Sequence, residues 1–419
     1  MDVAKLNFIT VAPYNCNEQT KSSVDWLCTG ENDELTIQKA IDQCVLERKN
    51  LYFLNGIYHI DGFYDFGDGG PKTAICFPNA RREITVLGQN YPVDKNGEGV
   101  IFHVTAKALE NLTICSAEDS NANDPFLNPV DVIRTTWTQY GLGSGASLRM
   151  ENIKFNLSHN QKSIRCLDLR RCDRVELKNI GFNGYAEMEA GLGKPPAVPV
   201  SGCIGLTTTD GSNHSYSNYT NVGASGFYEG IQVSGEHVVL INCSAIMCYY
   251  GFTFGNYGIS CGANHPITLI NCMDERNVHL PLFNQCGDSD KQGNRILGEQ
   301  EVSMISFNIE RIAVQTPGGE LGDLMREVVP GTWRGNIDFT AQPAWNHVNE
   351  KNFQLWENDG SGKGFKTRNV CHKIVGTTEE RMSYYPTYGQ QMFDTDLNKM
   401  LICIDPAQKK WVDCNGKEV

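Results

Sequence analysis

Residues His237–Met247 read HVVLINCSAIM, and residues His265–Arg276 read HPITLINCMDER. Each carries a short apolar run closed by Asn-Cys. Alternation with a period of two marks a strand that buries one face. The phrase also occurs upstream, as LRMENIKF around Asn152, VELKNIGF around Asn179 and SNYTNVGA around Asn221. Counting Asn242 and Asn271, successive asparagines stand 27, 42, 21 and 29 residues apart. Recurrence on the order of 20–30 residues is the mark of a solenoid. The 42-residue interval fits one coil with an insertion, or two coils. Long segments of helical periodicity are missing, so the repeating unit is a strand-built coil. Stacked Val, Leu and Ile fill its interior. Asn at each corner tolerates a left-handed backbone, and its amide can bond the Asn of the next coil. Cys243 and Cys272 hold equivalent positions and should stack inside. MISFNIERIAV, with Asn308, reads as a final coil.

Outward from this core the pattern changes. Residues 1–30 read as an irregular N-terminal segment. ENDELTIQKAIDQCVLERKN then places apolar residues at helical spacing behind Asp33, a candidate N-cap. NLYFLNGIYHI follows as strand, Asn-Gly turn and strand. Coils are expected over 31–315. The Gly- and Pro-rich QTPGGELGDLMREVVPGTWRG breaks the pattern. Mixed strands and loops are expected over 316–375, and a separate β-rich module over 376–419.

Composition narrows the partners. The 419 residues carry 36 Lys and Arg against 49 Asp and Glu, a formal net charge of -13. No basic run offers counterion release, which argues against nucleic acid. No run approaches the roughly 18 apolar residues of a membrane span. MDVAKLNFITVAPYNCNEQT lacks the basic start and apolar stretch of a secretory leader, so synthesis in the cytoplasm is expected. The 16 cysteines mostly sit singly in apolar runs, without CxxC pairs, and read as free thiols in the core. No cofactor or metal is expected. Phosphate loop, HExxH and GxSxG signatures are missing, and DSDKQGN (Asp288–Asn294) lacks the closing Glu of an EF-hand.

The opening TIQKAIDQC…NLYFLNGIYHI and the Asn-cornered coils, over roughly residues 30–315, resemble the pectate-lyase-like superfamily. The resemblance implies an all-β fold: a right-handed, single-stranded parallel β-helix (pectin-lyase-like solenoid) with an N-terminal capping helix and a small β-rich C-terminal module. That superfamily includes polysaccharide lyases, glycoside hydrolases, epimerases and phage tailspikes, and fold alone does not choose among them. The tail GTTEER…P…GQQMFDTDLNKMLICIDPAQKKWVD is similar to a terminal module of phage tail and tail-fibre proteins. Gly376, Thr377, Thr378, Arg381, Gly389, Phe393, Asp394, Thr395, Leu397, Lys399, Trp411, Val412 and Asp413 match its pattern. Pro386 comes later than the pattern has it, and ICIDPAQKKW lacks its Trp-and-Gly turn. Together the resemblances imply a virion tail protein, made in the host cytoplasm and homotrimeric, that sits among other tail proteins. It would recognise a bacterial surface polysaccharide, either by binding alone or also as a depolymerase that cuts it by hydrolysis or elimination. Two other roles fit as well: a bacterial polysaccharide lyase or glycoside hydrolase without a virion role, and a purely structural virion decoration protein.

Glycoside hydrolysis commonly uses two carboxylates, about 5–5.5 Å apart for retention or roughly 6.5–9.5 Å for inversion. Elimination from a uronic acid needs a base instead. Acidic residues just past the repeated strands are therefore the catalytic candidates: Glu229, Asp274 and Glu275. Tyr228, Tyr249, Tyr250, Arg276, His279 and Asp210 are the candidates for holding sugar. The plainer alternative is a solvated acidic corner with packing tyrosines, and ordinary turn chemistry for Asp210 in TTTDGSN. Asp168 and Asp173, among Arg170, Arg171 and Arg174, read as paired surface charges. Tyr185–Gly202 reads as an insertion, with Glu187, Glu189 and Lys194 on its rim.

Overall fold

The computed structural model describes residues 7–92, 98–110, 112, 129–137, 146–158, 162–184, 195–208, 217–233, 235, 237–254, 267–279, 282–283, 300–310, 312, 315–319, 333–334, 337–342, 357–358, 365–366, 375–383, 389, 391–405 and 407–419. The chain divides into two compact units, Met1–His347 and Val348–Val419.

The first unit is an all-β parallel solenoid, mostly short strands in long parallel sheets with few helices. Its coils have three faces. The first face stacks 83–87, 147–151, 174–178, 217–220, Val238–Ile241, Ile267–Ile270 and 302–305. The second stacks Gly56–Ile60, Val100–Val104, 153–157, 180–183, 222–225, Ser244–Ile246, Met273–Glu275 and 308–310. The third stacks Thr73–Phe77, Val130–Thr135, Ile164–Asp168, Cys203–Thr207, Glu229–Val233, Tyr250–Phe254 and Leu282–Phe283. Parallel pairing continues to Ile337–Gln342, past residue 315.

Asparagine makes the corner between the first two faces. Asn152, Asn179, Asn221, Asn242 and Asn271 all have φ between 51° and 60°. A residue with a Cβ pays roughly 1–2 kcal/mol for that conformation, and Asn is among the few that tolerate it. The Asn179 amide donates to Asn152 Oδ1 at 2.9 Å, Asn221 to Asn179 at 3.0 Å, and Asn271 to Asn242 at 2.8 Å. Direct pairing of Asn179 and Asn221 shows that the 42-residue interval is one coil with an insertion. One expectation fails. The next corner is Ser306, with φ 52°, whereas Asn308 lies within the strand and pairs with Met273. Backbone geometry sets the corner, and the serine meets it one residue after Ile305.

Apolar columns run along the interior. Tyr58, Phe102, Phe155, Phe182, Ala224, Ala245, Asp274 and Ile309 occupy successive places in one of them. Its aromatic part has centroid spacings of 5.7, 5.5 and 5.1 Å. Burial of each such ring stabilises the stack by about 1.5–3 kcal/mol. Cys243 and Cys272 stack in the interior as expected, both buried and with Met273 N–H donating to the Cys243 carbonyl. All twelve cysteines among the described residues are free thiols, and ten are buried.

The helix Asp33–Glu47 buries Ile37, Ala40, Ile41 and Cys44 against the first strands of the solenoid. Asn32, with φ 49°, precedes it as the cap residue and makes no side-chain cap bond. Asp33 instead accepts from the backbone N–H groups of Thr29, Gly30 and His59, tying the helix to the second face. Residues 8–12 are not irregular: Phe8–Ala12 pairs in parallel with Asn50–Phe53. Nor does Asn-Gly make a hairpin, since Asn50–Phe53 and Gly56–Ile60 extend different faces and Gly56 turns the corner at φ 145°.

In the second unit, Val375–Gly376, Gln391–Asp394, Lys399–Asp405 and Lys410–Asp413 form a four-stranded sheet. Met392, Leu401, Cys403 and Trp411 make its core. Beside it runs the helix Thr378–Ser383, whose Arg381 meets Asp394 at 2.8 Å and lies over the Trp411 ring. Arg381, Asp394 and Trp411, far apart in the tail motif, thus form one interlocked cluster.

Candidate functional site

Between the second and third faces the chain turns through Met247 in one coil and Arg276 in the next, with φ 51° and 56°. The following residues stack by backbone hydrogen bonds. Tyr249 N–H donates to the Phe227 carbonyl at 3.0 Å, Tyr250 to Tyr228 at 2.8 Å, and His279 to Tyr249 at 2.9 Å. This geometry piles aromatic rings from successive coils. Tyr228 lies on Tyr249 with centroids 4.9 Å apart and planes within 10°. Tyr250 stacks on His279 at 4.9 Å and 23°. The two stacks meet edge to face, with Tyr249 standing 4.9 Å from Tyr250 and from His279. Tyr250 is buried within the cluster, and Tyr228, Tyr249 and His279 are half-buried.

Glu229 opens the third-face strand beside these rings, in register with Tyr250. Gln232 Nε2 donates to its Oε2 at 2.9 Å, and Thr253 Oγ1 donates to the same oxygen at 3.0 Å. Neither bond uses Oε1. Burial raises the pKa of this carboxyl above the ordinary value, although the two donors and the more distant Arg165 oppose it.

Behind Glu229 a buried polar network crosses the third face. Gln232 Oε1 accepts from Thr207 Oγ1 at 2.6 Å, and Thr207 accepts from Arg165 Nη1 at 3.1 Å. Arg165 pairs with Asp131 at 2.8 Å and Asp168 at 3.1 Å, and Arg170 also pairs with Asp168 at 2.8 Å. Arg170 and Arg171 lie over the Trp137 ring, 5.1 Å from its centroid. The two carboxylates are driven apart. Burial lifts Asp131 to about 7, whereas Arg165 and Arg170 outweigh burial at Asp168 and hold it well below the carboxylate range. Upstream, Asp68 binds Arg134 through two 2.7 Å bonds.

The structure brings together Tyr228, Tyr249, Tyr250, His279 and Glu229. It places the other candidates elsewhere. Asp274 is fully buried in the interior column between Ala245 and Ile309, so it does not reach the outer surface. The middle residue of that three-residue strand is the inward one, and Asp274 occupies it. Glu275 and Arg276 pair with each other at 2.8 Å, and Arg276 approaches Glu310 at 3.5 Å, on the corner preceding the rings. Asp210, Glu187, Glu189 and Lys194 lie outside the described residues. Asp168 and Arg170 are paired as read from the sequence, but inside the protein. The roles of Asp131, Arg134 and Arg165 were not read from the sequence. Their only trace there is a pair of opposite charges within each of the apolar strands VDVIRT and IRCLD, which alone resembles an exposed edge.

Among the described residues no group of His, Cys, Asp and Glu could hold a metal ion, and no helix is long and apolar enough to cross a membrane. No protein-family model matches the chain, and no curated protein does. Among solved structures it is similar to tailspike protein 3 of bacteriophage CBA120, at 10% identity over 91% of this chain and 67% of that one. The TM-score is 0.15, and a likeness at that level carries no argument about fold or role.

Proposed function

We propose that this chain is a tailspike-type β-solenoid that binds a bacterial surface polysaccharide along the corner lined by Tyr228, Tyr249 and His279, with Tyr250 buried behind them. The observation that carries this reading is the stacking of Tyr228 on Tyr249 from successive coils, with Glu229 in register beside them. Coils repeat about every 4.8 Å along the axis, so the rings form a row rather than an isolated patch. A sugar chain presents apolar C–H faces and a dense set of hydroxyls. Tyrosine rings suit the first, and phenol, imidazole and carboxylate groups suit the second.

In this reading the solenoid is a right-handed, single-stranded β-helix, because parallel crossover connections are right-handed in about 98% of cases. The protein serves in the virion tail as a homotrimer beside other tail proteins, as the similarity of residues 376–413 to terminal modules of phage tail proteins implies. Binding rather than cleavage is the part that the site supports. Hydrolases commonly use two carboxylates, and of the three read as catalytic only Glu229 stands at the rings among the described residues, since Asp274 lies inside the coil and Glu275 is paired with Arg276.

The test is to incubate the purified protein with capsular polysaccharide from candidate hosts. Retention of the polysaccharide with unchanged chain length is expected. Shortened chains would establish a hydrolase, or a lyase where absorbance of an unsaturated uronate also rises. A protein that retains no polysaccharide would end the proposal.

A further inference from the structure

The outer side of the second face carries a file of polar side chains just ahead of the tyrosine corner. His103, Asn156, Asn183, Ser225 and Ile246 stand in register on successive coils, each pointing outward near the end of its strand and half-buried. Ser225 comes three residues before Tyr228, and Ile246 three before Tyr249. The file therefore runs beside the ring row and continues it toward the N-terminal coils. The corner asparagines Asn152 and Asn179 spend their amides on each other. Four residues further on, Asn156 Oδ1 takes no partner among the described residues. Hydrogen-bonding capacity is thus left over in the file. In the neighbouring column Gly181 and Gly223 are in register. A Cβ on Gly181 would run into the Tyr91 hydroxyl, so glycine lets Tyr91 lie across this column, with 38% of its surface exposed. An exposed ring beside amide and hydroxyl groups offers a sugar the same two kinds of contact as the corner does.

We infer that the polysaccharide lies parallel to the solenoid axis, from the tyrosine corner along Ser225, Asn183, Asn156 and His103, and that it is a neutral polymer. This rests on the glycan reading above and adds to it a direction and a substrate class. Coils follow one another about every 4.8 Å, close to the advance of one linked pyranose ring, so each rung meets about one sugar. Charge decides the class. Met1–His347 holds 26 Lys and Arg against 39 Asp and Glu, which is the chain's whole net charge of -13. Beyond Ile246 the file itself turns acidic, with Glu275 and Glu310. Lys154 is the single charge in the neighbouring column, Ile57 to Asn308, among the described residues. An acidic polymer would meet like charge along its length. A neutral one asks only for the donors and acceptors that the file supplies.

Immobilised full-length protein tests this with two sets of surface polysaccharide from candidate hosts: neutral polymers, and polymers bearing uronate, sialate or phosphate. The neutral set should be the source of the retained polymer, and the acidic set should pass through. Calorimetry with two-sugar and six-sugar fragments of the retained polymer then reads the direction. Wild type should bind the longer fragment at least about tenfold more tightly. An Asn156→Ala, Asn183→Ala double variant should lose that advantage with its thermal midpoint unchanged. If the double variant melts early, Ser225→Glu replaces it, with the same expectation. Retention of acidic polymers, alone or beside neutral ones, overturns the inference while leaving the tyrosine corner standing. So does a folded variant that keeps the full advantage of the longer fragment. Retention of neither set removes the tyrosine corner as well.

Discussion

Tyr228 and Tyr249 stand 21 residues apart in sequence and 4.9 Å apart in space, ring on ring. The contact follows from coil length: a turn of 21 residues returns the chain to the same corner one rung further on. Stacked aromatic pairs contribute about 0.5–1.5 kcal/mol beyond the area they bury. Tyr228→Ala should therefore lower the urea midpoint modestly, with the far-ultraviolet spectrum unchanged. A collapse of the fold would mean that the rings are core rather than surface.

The asparagine ladder makes a sharper stability prediction. Asn179 both donates to Asn152 and accepts from Asn221, and it holds φ at 53°. Asn179→Ala loses the bonds and strains the backbone, for a combined cost of about 2–3 kcal/mol. Asn179→Gly loses only the bonds and should cost about half as much. Equal urea midpoints for the two variants would contradict the left-handed corner.

Asp131 predicts a pH dependence. Its carboxyl in the folded chain titrates at about 7, above the value of about 3.9 in an unfolded chain. The folded state therefore binds the proton more readily, a stabilisation present at low pH and lost as pH rises through about 7. Asp168 acts in the opposite sense, stabilising above the unfolded carboxylate pKa and weakening the fold as pH falls below it. Thermal melts of wild type should thus decline as pH rises from about 4 to about 7 and level off above that. Asp131→Asn should flatten that decline, while Asp168 continues to pair with Arg165 and Arg170. An unchanged slope would remove Asp131 as its source.

Asp274 and Gly251 form a fourth test. A Cβ on Gly251 would run into Asp274 Oδ2 and Asn277 Nδ2. Gly251→Ala should cost about 1–3 kcal/mol, and Asp274→Ala in the same chain should recover part of it, a coupling that a double-mutant cycle measures. Asp274→Asn should leave polysaccharide retention unchanged. Loss of retention in a folded Asp274→Asn protein would bring this residue back to the surface site.

The corners were legible in the sequence because a left-handed backbone is a local demand that Asn meets wherever it occurs. Third-face strands gave no such signal. CIGLT, EGIQV and YGFTF have no corner Asn, and Gly205, Gly230 and Gly251 sit where a neighbouring coil presses close. The tyrosine corner was recognisable because Tyr228 and Tyr249 follow their strands at one matching offset, and Tyr250 and His279 at the next. Asp274 was misplaced for a physical reason. A carboxylate was assumed to avoid burial, although the aligned phrases already set it at the position of Ala245, whose column runs inside.

Calorimetric titration of a surface-polysaccharide fragment into wild type and Tyr249→Ala tests the central claim most directly. The account predicts saturable binding by wild type, weakened at least about tenfold, or 1.4 kcal/mol, in the variant, with both proteins equally folded. Equal affinity in the two proteins would contradict it.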